Sequence, residues 1–449
     1  MSGSKKPVKV LFYTFTPRAF RSTLIGHLYE ICQKYPTVLL SEKLDATTEK
    51  ILKDKNLFPN LEKIVPVRQF TGKRGGLFVQ NFHAFRQAKE AIKIYKPSVV
   101  ISGSDYNSLF ELYLFGFAKR TNSLTVAIQP SLPLGETKVV QRWVDLTNVY
   151  TRFPTFLPFP LRKVVVYLRK YLDHILIYWL MPILVGQKPF IGKSSYVLRT
   201  GNSGMRSADF QIVFSKKDFE LFKKSGVPEE RLRLLSHPFS RQSTNMVFDK
   251  LYEQGGWPRK ARGRSVSIML PNEMTLGFRG KNWQLISRNK REKEWQEIVS
   301  IIASALPGWK IYIKTHPDGK NLPILKEKFQ AISSNVIMAD PRSAAEAYTK
   351  ISDVVVGLPP PASTTLFTAL LQSPQKPILA LDLHEEILGD YYKDFEGIEY
   401  VTNKNQLMQL MKLVKSGKYK KGLNKIEKGE FSYTAELIEN LMAEGLKIS

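Results

Sequence analysis

Lys314, Thr315, His316 and Pro317 stand together at the end of a short apolar run, Ile311–Ile313. Further along, a second run, Asp353–Val356, leads through Gly357 and Pro359–Pro361 to Ser363, Thr364 and Thr365, where a new helical pattern begins. A cation, an imidazole and three hydroxyls at strand ends and a helix start are what a phosphate group requires. The first turn of a helix offers backbone N–H groups with no partner of their own. In an open parallel sheet, ligands bind beyond the carboxyl ends of the strands. These residues therefore read as a nucleotide-phosphate site. Asn272 and Glu273 end the first strand of the same half (Ser265–Leu270) and would meet the nucleotide or its sugar. His384 and Glu385 follow a further strand and are within range of a ribose. Each group also has a plainer use. His316-Pro317 can close a strand as a turn, Ser363-Thr364 can cap a helix, and Pro271–Glu273 can be a surface turn.

The elements that must position these groups alternate along the chain. Lys9–Thr14, Thr37–Leu40, Ile64–Val67, Ser98–Ser102 and Leu124–Gln129 read as strands, with helical periodicity between them. A second alternation starts at Ser265–Leu270 and runs through Lys310–Lys314, Asn335–Met338, Asp353–Val356 and Pro377–Leu381. Helices are expected at 404–414 and 433–446. This rhythm predicts an α/β protein built from two doubly wound, Rossmann-like domains with a cleft between them. Domain bounds are expected at 1–240 and 265–449, joined by a polar, basic linker over 241–264.

Residues 150–200 break the rhythm. This stretch is apolar and aromatic, with Arg162, Lys163, Arg169 and Lys170 interleaved and Trp179 near its end. Such a segment suits an anionic membrane surface. It equally suits a helix packed on its own domain with the cations in water.

Composition narrows the partners. The chain has 449 residues, with 43% hydrophobic, 11% aromatic and 24% charged residues, which is globular composition. Its formal net charge of +27 points to a polyanionic partner, membrane or nucleic acid. Nucleic acid is the weaker alternative, because the cations are dispersed and no recognition motif accompanies them. The single cysteine, Cys32, rules out an intrachain disulfide and a cysteine-rich metal site. No zinc spacing, Walker loop or dinucleotide fingerprint is present, so no metal and no cofactor is expected. The N-terminus lacks the features of a signal peptide, and Pro182 interrupts the longest apolar run, Ile175–Val185. A cytoplasmic protein, peripheral at the inner face of the cell membrane, is expected.

The Lys314–Pro317 quartet resembles the K-x-H-P signature of bacterial sialyl-, Kdo- and polyol-phosphate transferases. Ser363-Thr364 after an apolar strand resembles their paired Ser-Ser/Thr phosphate motif. Residues 208–238 resemble the end of the N-terminal domain in the wider GT-B superfamily of glycosyltransferases, which includes the UDP-N-acetylglucosamine 2-epimerases. The resemblance implies that His316 contacts the donor phosphate, that Lys314 supports its charge, and that Ser363 and Thr364 bind phosphate oxygens. It implies an inverting transfer of a sugar from a nucleotide donor, of cytidine type, to a cell-surface glycan or lipid-linked acceptor. A 2-epimerase acting on UDP-N-acetylglucosamine is the alternative. Inverting transfer needs a group to take the acceptor proton. Asp105, at the end of the strand 98–102, is the first candidate, and Glu136, after the strand 124–129, is the second. Asp105 can instead cap the helix that starts at Ser108. The Asp-Gly pair of the sialyltransferases is absent, which leaves the base open between the two.

Overall fold

The computed structural model describes residues 7–15, 20–68, 76–103, 109–129, 208–224, 227–255, 263–271, 286–315, 322–341, 343–358, 364–385, 392–393, 395–419 and 429–448, with isolated positions between 158 and 183. The chain divides into two units. The first comprises Met1–Leu251 together with Glu427–Ser449, and the second is Tyr252–Ile426.

In the first unit the described elements run in the following order. They are β1 (Val10–Thr14), α1 (Ile25–Cys32), β2 (Thr37–Ser41), α2 (Ala46–Leu52), β3 (Leu61–Pro66), α3 (Gly76–Tyr95), β4 (Val99–Ser102), α4 (Leu109–Arg120), β5 (Leu124–Ile128), β6 (Phe210–Val213), α5 (Lys216–Lys224), β7 (Leu232–Leu234) and α6 (Gln242–Gln254). The second unit holds β8 (Ser265–Met269), α7 (Arg288–Ala305), β9 (Lys310–Lys314), α8 (Leu322–Gln330), β10 (Val336–Met338), α9 (Ala345–Ile351), β11 (Val354–Gly357), α10 (Thr364–Gln372), β12 (Ile378–Leu381), β13 (Glu399–Val401) and α11 (Lys404–Lys415). The last helix, α12 (Thr434–Ile448), belongs to the first unit.

Both sheets are parallel, ordered β3-β2-β1-β4-β5-β6-β7 and β10-β9-β8-β11-β12-β13. Strands such as Val10–Thr14 and Val354–Gly357 are buried at every position, because helices cover both faces of a parallel sheet. In each sheet the first strand of the unit lies inside the sheet, third from one edge, and the chain winds outward from it in both directions. The order reverses between β1 and β4 in the first unit and between β8 and β11 in the second.

Two boundaries differ from the sequence reading. Most of the stretch expected to be a linker forms α6, with Val247, Phe248 and Leu251 buried. These residues recur at helical spacing, a signal that the surrounding polar residues obscure. The C-terminal helix also rejoins the first unit instead of completing the second. Glu30 on α1, 5% exposed, explains why. Its carboxylate accepts hydrogen bonds from the backbone N–H and hydroxyl of Thr434 at the start of α12, at 2.8 and 2.6 Å. It also pairs with the buried guanidinium of Arg241. His27 Nδ1 lies 2.7 Å from the Thr434 hydroxyl. Gly429 lets the returning chain pass over β7, since a Cβ there would lie 2.4 Å from the backbone nitrogen of Ser236.

His237 and Pro238 are buried against α1. A Cβ on Gly26 would lie 2.7 Å from the Pro238 Cβ. Burial, and then the nearby Arg241 cation, hold the His237 ring down at about 3 and His27 well below its ordinary value.

Two outcomes follow for stability. Glu30→Ala strands the buried Arg241 charge and should cost about 3–5 kcal/mol in the denaturant transition of the first unit. A loss below about 1 kcal/mol would show that water reaches the pair. The two histidines stay neutral when folded and protonate near pH 6.5 when unfolded, so the unfolded chain binds more protons below that pH. The first unit should therefore lose stability as pH falls below about 6.5, at about 1.4 kcal/mol per pH unit per histidine. Denaturation midpoints measured at pH 7 and below should show a slope that His237→Gln halves.

Candidate functional site

In the second unit, the described residues of the expected phosphate site lie at one edge of the sheet. β8 is flanked by β9 on one side and β11 on the other. Met269 is in register with Lys314 and with Gly357, so the three residues form one row at the carboxyl edge. The ladder continues past the strand ends: Leu270 N–H donates to Lys314 O at 2.9 Å, and Leu358 N–H to Met269 O at 3.0 Å. Adjacent strands lie about 4.8 Å apart, which sets the tips of β9 and β11 roughly 10 Å from one another. The edge where the strand order reverses, between β8 and β11, is where ligands sit in sheets of this kind.

Lys314 is buried, and its ammonium donates to the carbonyls of Thr315 and Pro341 at 2.8 and 2.9 Å. It braces the loops that leave β9 and β10 and keeps positive charge at that tip. The hydroxyl of Thr315, the next residue, is buried and has no hydrogen-bond partner. Such a group carries a desolvation cost of about 1–3 kcal/mol unless something pairs with it. Gly357 ends β11 where α10 crosses closely, and a Cβ there would lie 2.6 Å from Leu366 Cδ1. Leu366 and Leu370 are buried, which fixes α10 with Thr364 at its start. Thr365 is half-buried in the first turn. His384, beyond β12, is committed to Glu294 of α7, its Nε2 lying 2.9 Å from Oε1. Buried Arg291 approaches the other carboxylate oxygen at 3.3 Å.

Several expected residues lie outside those described: His316, Pro317, Ser363, Asn272, Glu273, Asp105, Glu136, Arg162, Lys163, Arg169 and Lys170. The described ones divide between two places. Lys314, Gly357, Thr364 and Thr365 share the carboxyl edge of the second sheet. Trp179 stands exposed in the segment between β5 and β6.

The first unit carries two polar groups that sequence reasoning did not single out. Glu42 follows β2 directly and hydrogen-bonds the hydroxyl of Tyr13. Burial pushes its carboxyl up to about 7, against the opposing effect of that bond. Gln129 follows β5; its side chain is 2% exposed, and neither the oxygen nor the nitrogen of its amide has a partner. The available signal was positional, since both are polar residues placed directly after apolar runs. Between them, Ser102 at the end of β4 hydrogen-bonds buried Glu111 of α4. The carboxyl edge of this sheet is thus lined with buried polar groups.

No protein-family profile matches the chain, and no curated protein matches it in sequence. Solved structures do resemble it. The UDP-GlcNAc 2-epimerase of Methanocaldococcus jannaschii aligns with a TM-score of 0.57 at 9% identity, over 97% of this chain and all of that one. The Neisseria meningitidis UDP-GlcNAc 2-epimerase bound to UDP-GlcNAc gives 0.55 at 13% identity, over 97% and 100%. The S. aureus MnaA–UDP structure gives 0.54 at 11% identity, over 98% of each chain. The fold is that of a GT-B-like protein. It consists of two Rossmann-like α/β units, as the alternation of strands and helices predicts. At these identities the likeness speaks for architecture.

The close packing at Gly357 yields a direct test. Gly357→Val should force Leu366 aside and shift the start of α10, destabilising the second unit by about 1–3 kcal/mol. A thermal unfolding midpoint equal to that of the unaltered protein would show that α10 is not held by this contact.

Proposed function

We propose that the chain is a nucleotide-sugar enzyme, and specifically an inverting glycosyltransferase. It would move a sugar from an activated donor, of CMP type by the resemblance of its motifs, to a cell-surface glycan or lipid-linked acceptor. The observation that supports this most is the carboxyl edge of the second sheet. A buried cation, an unpartnered buried hydroxyl at Thr315 and a helix start lie around the point where the strand order reverses.

In this reading the acceptor hydroxyl attacks the anomeric carbon and the bond to the nucleotide phosphate breaks. Inversion follows from the single displacement. The acceptor proton passes to a carboxylate, Asp105 or Glu136. The electrons of the broken bond collect on the leaving phosphate. His316, Ser363 and Thr364 and the first N–H groups of α10 would meet that charge in the transition state, with Lys314 supporting them.

A second reading is favoured by the solved structures that share the fold. Two of those reported above are named as UDP-GlcNAc 2-epimerases, and one of them is described with UDP-GlcNAc bound. An epimerase would act on that compound without an acceptor. Incubation with UDP-GlcNAc alone separates the two: appearance of the 2-epimeric sugar together with UDP would support the epimerase and count against transfer. For the transferase, CMP- and UDP-linked donors would be screened with a phospholipid-linked or oligosaccharide acceptor. His316→Ala should lower transfer by about 100-fold or more while circular dichroism stays unchanged. A rate within a factor of about two of the unaltered enzyme would remove His316 from the phosphate site.

A further inference from the structure

The segment between β5 and β6 offers a surface that the nucleotide site does not use. Every described position from Pro160 to Ile183 has helical backbone, with Leu176–Leu180 as a π turn. The described apolar side chains there face outward. Leu161, Val164, Leu168, Leu172, Trp179 and Ile183 are all exposed, with Val164 at 62%, Leu172 at 56% and Trp179 at 47%. Leu161, Val164, Leu168 and Leu172 recur at intervals of three and four residues, the spacing that places side chains on one face of a helix. Leu176 packs on the core of the first unit and ties the segment to it. An apolar stripe of this length is uncommon on a soluble protein that meets nothing there.

Its surroundings indicate the partner. Between residues 158 and 186 the sequence holds Arg162, Lys163, Arg169 and Lys170 against the single acid Asp173. Cations follow Leu161 and Leu168 directly, and the whole chain carries +27. Among the described residues no helix is long and apolar enough to cross a membrane. Apolar residues along one face, interleaved cations and a tryptophan at one end are the features of a helix that lies in the headgroup region of an anionic bilayer. A protein partner or a second copy would be met by the same leucines but would leave the local charge excess unexplained.

We propose that this stripe docks the protein on an anionic lipid surface, with Leu161, Leu168, Leu172 and Trp179 entering the acyl boundary and the neighbouring cations meeting lipid phosphates. The inference does not depend on which nucleotide-sugar reaction the chain performs, and its test reads no activity. Among the described apolar side chains of the segment, Leu176 packs on the domain and the six named above are exposed.

The experiment is flotation of the full chain with phosphatidylcholine vesicles, with and without phosphatidylglycerol. Binding should be strong only with the anionic lipid and should weaken as salt rises. Leu168→Asp with Leu172→Asp should lower binding by more than about tenfold. Arg162→Gln with Arg169→Gln should remove the preference for anionic lipid. Circular dichroism and thermal unfolding report whether each variant folds, and the arginine pair tests the proposal if the leucine variant does not. Wild-type chain that stays unbound on anionic vesicles would overturn the proposal. So would equal binding to both vesicle types, or folded variants that float like the wild type. A wild-type dimer that the leucine variant converts to monomer would assign the stripe to a second copy and would also overturn it.

Discussion

The parallel ladder joining β9, β8 and β11 is the constraint on which the second unit's chemistry rests. It fixes Lys314, Met269 and Gly357 in one row, so whatever follows each strand emerges at the same edge. No side chain is needed to align the tips; the backbone register does it. Side chains then adjust what the ladder sets. The Lys314 ammonium binds two carbonyls, and Gly357 omits a Cβ so that α10 can begin close to the edge. A nucleotide phosphate placed there would find N–H groups already oriented, which is the condition for stabilising charge without reorganisation.

The first unit is held by a different interaction. Glu30 receives both the start of α12 and the Arg241 cation in a buried position, and two neutral histidines pack beside them. Because the C-terminal helix closes this unit, the N-terminal fold is complete only when the last residues of the chain arrive. The cost of burying charge there is offset only while every partner is in place.

The strands were legible in the sequence because a parallel sheet covered on both faces favours largely apolar runs, and Val10–Thr14 and Val354–Gly357 are such runs. The alternation with helices made the two Rossmann-like units legible as well. Other features were hidden for physical reasons. α6 reads as polar because few apolar residues, Val247, Phe248, Leu251 and Tyr252, mark its inner face. The return of α12 depends on Glu30 meeting Thr434, a contact 404 positions apart that no local pattern encodes. In the second unit, Lys314, Gly357 and the α10 start were singled out from residue types at strand ends; the first unit's polar groups were not. Glu42 and Gln129 were passed over, since their significance lies in burial, and burial is a property of the folded chain.

The central claim is that the carboxyl edge of the second sheet binds the phosphate of a nucleotide. Isothermal titration of the full chain with CMP, CDP, UDP and GDP addresses it directly, with Thr315→Val and Ser363→Ala as companions. The account predicts saturable binding of at least one nucleotide, with affinity reduced about tenfold or more in each variant as a hydrogen bond to charged phosphate is lost. Nucleotide binding that is unchanged in both variants would contradict it.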